Sequence, residues 1–366
     1  MLKLFKVFLE LFPNYLVPVK RGFYDPMTTI GRWTIYHVTP SFSQLLSNIA
    51  PRHYRRFPLY DRAVINTTKG SRKVKRPLSE VEKQAVNFDY ITKVYERNES
   101  LLEEAGVEAV YGWDLVPAEY SLTAIFSESI ESGGRGYCAV QTEPKYIRKQ
   151  LKIGGEAVAL CDFKQLHPAI LQAQHFGEIK DKDVYNTYVG GLDRDFCKTA
   201  VMMILNADPR GVENALYTIY RYYDFKDERY KFAAMQKRAK GSTYIPDQHK
   251  ETAQMVLSPT SGKTEGWISS SGKDYVNGFK EQHPHMVPFV GSGKGGFLQL
   301  LDSQIMRRAM ELLNNREMPS LVVHDELIVR ERDAEEAVWV MQYAFKEVLN
   351  TDVIAPVTIE THRKHS

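Results

Sequence analysis

The sequence predicts an α+β fold, an antiparallel sheet served by separate helices, and three stretches carry that expectation. In "SLVVHDELIVRER", residues 320–332, two apolar β-branched runs flank His324, Asp325 and Glu326, which reads as a strand–turn–strand hairpin. In "EAVALCDF" an apolar run, Ala157 to Cys161, reads as a buried strand ending in Asp162. Around the hairpin, residues 297–314 and "DAEEAVWVMQYAFKEVLN" carry helical periodicity, and "APVTIET" reads as a last strand. The chain therefore closes as helix, hairpin, helix, strand.

Upstream, "RPLSEVEKQAVNFDYITKVYERNESLLEEAG" reads as one long helix. Ser79 and Glu82 form its capping box, Val81, Ile91, Val94, Leu101 and Leu102 its apolar stripe, and Gly106 its end. Residues 107–150 are mixed, with a Gly-rich break at "ESGGRGY"; 182–240 read as mostly helical and 241–296 as loops or a mobile subdomain. The N-terminal "MLKLFKVFLELFPNYLVPVKRG" reads as an amphipathic helix without a cleavage site. No run approaches the ~18 apolar residues of a membrane span. Cys138, Cys161 and Cys197 lack metal or disulfide spacing, which fits a reducing cytoplasm.

The net charge of +3 excludes a uniformly basic nucleic-acid coat. Residues 51–76 nevertheless hold nine Lys or Arg against one Asp, with Tyr and Phe between them. Such a stretch suits phosphate contact and base stacking, and equally a solvated basic loop.

The hairpin turns on neither Gly, Asn nor Pro, the residues that tight turns favour. A charged triplet there is either a solvated tip or a placement of carboxylates. Neighbouring strands could bring Asp162 beside Asp325. Two carboxylates sharing a site repel unless cations intervene, and two Mg2+ about 3.5–4 Å apart would also clamp a phosphoryl transfer. In "DRDFCKTAVMMILNAD", Arg194, Lys198, Met202 and Asn206 recur every four residues and share one helix face. That face could hold a triphosphate at its basic end, or be a solvated amphipathic surface.

In order and spacing these segments resemble family A DNA polymerases, the bacterial DNA polymerase I type. "CDFKQLHPAIL" is similar to the family's first catalytic motif, Asp-Tyr-Ser-Gln-Ile-Glu. "RDFCKTAVMMILNA" is similar to the second, and "VVHDEL" matches the third, Val-His-Asp-Glu-Leu. Arg148, 14 residues before Asp162, and Gln299 in "LQLLDSQIMRRAM" occupy positions of a family arginine and glutamine. The resemblance covers about residues 120–362. It departs at His167, where the family has Glu, at Met202, where it has an aromatic, and at Asn206-Ala207, where it has Tyr-Gly.

The resemblance implies a polymerase right hand: a thumb-like helical region at 1–119, an antiparallel palm at 120–178 and 297–366, and fingers at 179–296. It implies a bacterial DNA polymerase, chromosomal or phage- or plasmid-encoded, that extends primer–template DNA with dNTPs and lacks proofreading. Asp162, Asp325 and the Phe163 carbonyl would hold two Mg2+, or Mn2+ in their place, with Glu326 behind them. Arg194 and Lys198 would neutralise the triphosphate, and Lys198 would protonate pyrophosphate. Met202 and Asn206 would meet sugar and base, with His167 as a steric gate against a 2′-hydroxyl. Arg135, Arg148, Gln299 and His324 would touch primer–template. A single-subunit RNA polymerase or primase, a non-catalytic nucleic-acid-binding relative and a two-metal nuclease are the rival readings. The "SGKT" at 261–264 lacks the upstream Gly of a phosphate loop. "HPHM" lacks a third zinc ligand, and "YTIYRYYDF" suits packing as well as stacking.

Overall fold

A computed structural model describes residues 62–69, 72–108, 115, 117–186, 194–208, 212 and 271–361, with four short strands before residue 39. The chain divides into two units. Met1–Phe57 with Tyr220–Ser269 form one, and its described part is two antiparallel pairs. In these, β1 (Leu16–Lys20) pairs with β4 (Ile35–Val38), and β2 (Phe23–Tyr24) with β3 (Gly31–Arg32). Leu16–Lys20 thus corrects part of the expected N-terminal helix, because "LVPVK" carries β-branched residues and a proline. Residues 1–15 of that expectation lie outside the described residues, as do "SGKT" and "YTIYRYYDF".

The other unit is Pro58–Ile219 with Ser270–Ser366. Its division from the first falls after Phe57. It opens with β5 (Ala63–Lys69) and β6 (Arg72–Pro77), so much of the basic stretch is strand. These join β8 (Thr123–Ser127) and β9 (Ser129–Tyr137) in a sheet ordered β6-β5-β8-β9, with β5 and β8 parallel. This corrects the expectation of a helical region up to residue 119. "ESGGRGY" is no break. It lies within β9, where Gly133 and Gly134 take positive φ (83° and 78°) and shift the register against β8. A side chain at Gly134 would meet the Phe126 ring at 2.8 Å, so the bulge needs glycine.

The expected long helix is two, α1 (Glu80–Ala85) and α2 (Phe88–Ala105). The Ser79–Glu82 capping box is present, and Gly106 ends α2. Between the helices Asn87 turns left-handed (φ 52°), and its side chain accepts from the Tyr90 N–H at 3.3 Å, starting α2 afresh. Val81 is consequently exposed, whereas Ile91, Val94, Leu101 and Leu102 are buried.

The central sheet runs β12-β13-β11-β10-β7, with β14 on the other side of β11. Its strands are β7 (Val107–Glu108), β10 (Lys152–Ile153), β11 (Glu156–Phe163), β12 (Leu321–Val323), β13 (Glu326–Arg330) and β14 (Val357–Thr361). The short helices α3 (Pro117–Tyr120) and α4 (Lys145–Arg148) precede β11, and α5 (Leu166–Phe176) follows it. Alternation along β11 feeds two cores. Val158 and Leu160 pack with Leu102, Val107, Tyr120, Ile153, Leu321 and Ile328. Cys161 and Phe163 face α9 (Ala334–Leu349): the Cys161 thiol lies 3.7 Å from the Ala334 carbonyl, and the Phe163 and Phe345 rings are 6.2 Å apart.

Three more helices complete the described part: α6 (Arg194–Asn206), α7 (Ser271–Gln282) and α8 (Gly295–Asn314). Helix α7, with a 3-10 turn at Pro284–Phe289, corrects the loop expected over this part of 241–296. His283 and His285 belong there: His283 is buried against Asp181 at 3.4 Å, and His285 packs edge-on to Phe176. The loop before α8 covers the end of α6, with Gly291 N–H on the Ile204 carbonyl, Gly293 N–H on Ala207 and Ser292 Oγ on Leu205. These contacts satisfy carbonyls that a helix end leaves open.

Helix α2 is fastened to the hairpin by Asn98, whose amide donates to the Ser320 carbonyl at 2.8 Å and accepts from the Ser320 N–H at 3.2 Å. Both residues are buried. Asn98→Ala should therefore lower unfolding free energy by about 1–3 kcal/mol, because two backbone groups are left dry and unpaired. Urea denaturation measures this, and an unchanged midpoint would remove Asn98 from the hairpin's support.

Candidate active site

The β11–β13 register sets Asp162 opposite Glu326 and Leu160 opposite Ile328. One step further, the Phe163 N–H donates to the Asp325 carbonyl at 3.3 Å. The ladder thus delivers Asp162 and Asp325 to one end of the sheet. His324 and Asp325 are the turn itself, between the paired Val323 and Glu326. His324 takes φ 58°, a conformation that glycine adopts more cheaply, and its ring meets Tyr137 edge-on at 5.8 Å.

Asp162 and Asp325 have no salt-bridge partner among the described residues. Burial, then the charges of Asp325 and Glu326, push Asp162 up to about 7, while Lys198 and Lys145 pull it down. Asp325 is raised by burial and by Asp302, against Arg135 and Lys198. Lys198 on α6 therefore acts on both aspartates. Burial and Arg135 lower His324.

A hard divalent cation fits this donor set. Neither carboxylate has a salt-bridge partner among the described residues, both are held above their ordinary range, and a cation between them would relieve that cost. Among the described residues no group of three or more His, Cys, Asp and Glu is arranged to hold a metal. Two aspartates alone suit Mg2+, which takes one or two carboxylates and fills its shell with water and substrate phosphate.

The remaining predicted residues divide. Lys198, Met202 and Asn206 line an open cavity of about 500 Å3 with Thr199, Met203 and Ala207. Gln299 is half-buried on α8. Five side chains are already engaged within the protein. Arg194 donates from Nε and Nη2 to Asp183, at 3.1 and 3.2 Å. Arg135 is bound to buried Asp302, and Arg148 donates to the Glu143 carbonyl at 2.8 Å and to Glu326 at 3.3 Å. Glu326 is buried and raised by that burial, against Arg148 and Lys145. His167, the expected gate, is buried (4% exposed), with Nε2 3.2 Å from Arg135 and 3.4 Å from Asp302.

Asp302, Asp183 and Tyr185 were missed in the sequence. Asp302 alone left a signal: it stands between Leu298 and Ile305 on an apolar helix stripe, where an acid needs a partner. Tyr185 is 3% exposed, and its ring lies 5.5 Å from the Arg194 guanidinium and 6.0 Å from Lys198 Nζ.

No family model matches this chain, and no curated protein matches it. Among solved structures it is similar to the POL domain of Pol1 from M. smegmatis in complex with DNA primer-template and dNTP, with a TM-score of 0.28 and 16% identity. The match covers 76% of this chain and 52% of that one, so this chain spans about half its length. A score that low carries no inference about activity. No described helix is long and apolar enough to cross a membrane.

A carboxyl raised on folding binds its proton more tightly in the native chain, so its ionisation costs stability. For Asp162 the window runs from the ordinary 3.8 up to about 7. With a chelator present, Asp162→Asn should gain stability over the parent as pH rises through that window and level off above it. The gain is at most ~4 kcal/mol, less as water screens the site. Added Mg2+ should stabilise only the parent. Denaturant titrations across pH read both, and a pH-independent difference would contradict the assignment.

Proposed function

We propose that this chain is a template-directed DNA polymerase that adds deoxynucleotides to a primer 3′ end. The motif resemblance supports the reading, and one observation carries it. Two unpaired aspartates share a strand end, and Lys198 acts on both from a helix face lining a cavity. Two acids within electrostatic reach of a helix lysine suit a triphosphate that carries its own Mg2+.

Mg2+ held by Asp162 and Asp325 would supply charge neutralisation and lower the pKa of the primer hydroxyl. Lys198 Nζ binds the β- and γ-phosphates and delivers a proton to the departing pyrophosphate. The primer 3′ hydroxyl gives its proton to solvent water, and its oxygen bonds to the α-phosphorus as the bond to the bridging oxygen of the leaving pyrophosphate breaks. Arg194 keeps its Nη1 edge outside the Asp183 pair and adds a second phosphate donor there. Met202 and Asn206 face base and sugar. Glu326, gripped by Arg148, stands opposite Asp162 in the ladder behind the metal position, while His324 and Gln299 meet the primer–template.

Primer extension tests this. Asp162→Asn and Asp325→Asn should each lower turnover by about a thousandfold or more, with primer–template affinity retained. Near-normal extension by either variant would end the proposal. Lys198→Ala should cut kcat/KM for the nucleotide by roughly 10²–10⁴ while duplex affinity stays put. A matching fall in duplex affinity would make α6 a DNA-binding face instead. Synthesis that prefers ribonucleotides, or starts without a primer, would favour an RNA polymerase or primase.

A further inference from the structure

Tyr185 is buried, yet three of its neighbours belong to the face that lines the cavity or flanks it. Its ring carries Lys198 Nζ at 6.0 Å and the Arg194 guanidinium at 5.5 Å, and its hydroxyl lies 3.7 Å from Met202 Sδ. Tyr185 does not itself line the cavity. Whatever it does to a ligand there passes through Lys198 and Met202.

The segment that bears it is anchored from the catalytic strand. Gln165, three residues after Asp162, donates to the Asp181 carbonyl at 2.7 Å and accepts from the Val184 N–H at 2.9 Å. Gln172 on α5 accepts from the Lys180 and Asp181 N–H groups at 2.9 and 2.8 Å. Asp183 accepts from the Tyr185 N–H at 3.2 Å and also pairs with Arg194. Residues 180–185 therefore fix α6's reactive face relative to Asp162. Lysine and methionine are flexible side chains, and holding each in one rotamer costs conformational entropy. A rigid aromatic with a hydroxyl aimed at the thioether lowers that cost before a ligand arrives.

We propose that Tyr185 is a specificity-determining positioning residue, which holds the Met202 thioether against the sugar position and so sets the choice between deoxy- and ribonucleotides. This rests on the polymerase reading. It also locates selection on the exposed face, since His167 is covered.

A double-mutant cycle tests it: the parent, Tyr185→Phe, Met202→Leu and the double variant, with kcat/KM for primer extension read with dNTPs and with NTPs. Tyr185→Phe keeps the ring and its burial, so the fold is preserved. It should lower deoxy-over-ribo selectivity by about three- to tenfold, chiefly through a lower KM for the ribonucleotide, with primer–template affinity unchanged. Met202→Leu removes the acceptor, so the double variant should match Met202→Leu alone rather than multiply the two losses. An unchanged ratio in Tyr185→Phe, or losses that multiply, would overturn the assignment while leaving the polymerase reading intact. A parent that extends no primer would overturn both.

Discussion

Everything at the site follows from one antiparallel register. Because Asp162 pairs with Glu326 and Phe163 reaches the Asp325 carbonyl, two strands bury their apolar residues on either face and end in a cluster of acids. Side chains alternate along a strand, so a slip of one residue would turn Leu160 out of its core and carry Asp162, which shares its face, over to the α9 side. The cores on both faces hold the register, and the register holds like charges together. That repulsion is a local cost, met by packing elsewhere.

Around the acids the fold separates its cations into two kinds. Arg135 and Arg148 are largely buried and spoken for, by Asp302 and Glu326. Removing one member of such a pair leaves the other uncompensated in a low dielectric, so these pairs act as struts. Lys198 is exposed and has no salt-bridge partner among the described residues. Under the proposed function it is a cation left available for a substrate. Arg194 stands between these cases, tied to Asp183 on one edge only.

Much of this was legible in sequence because it is local. The hairpin, the strand ending in Asp162, α8, α9 and β14 each show their own periodicity, and Ser79 with Glu82 spells its cap. Even the break at Asn87 had a sign, an N-capping residue inside the helical run. The parallel pairing of β5 with β8 had none, since it joins residues about sixty positions apart in sequence. The fates of Arg135, Arg148 and His167 were hidden for a related reason. A cation's role depends on which acid the fold brings to it, and Asp302 lies far along the chain. Tyr185 reads as an ordinary buried aromatic until its neighbours are known.

Cys161 sits one residue before Asp162, its sulfur packed under α9. Burial, with help from Glu326, pushes its thiol up to about 12. Alkylating reagents attack the thiolate, so in the native chain this sulfur is silent on two counts, access and ionisation. It becomes reactive only when β11 parts from α9. The chain thus carries a built-in chemical clock beside its central carboxylate, and the labelling rate of that thiol times the opening of the strand that bears Asp162.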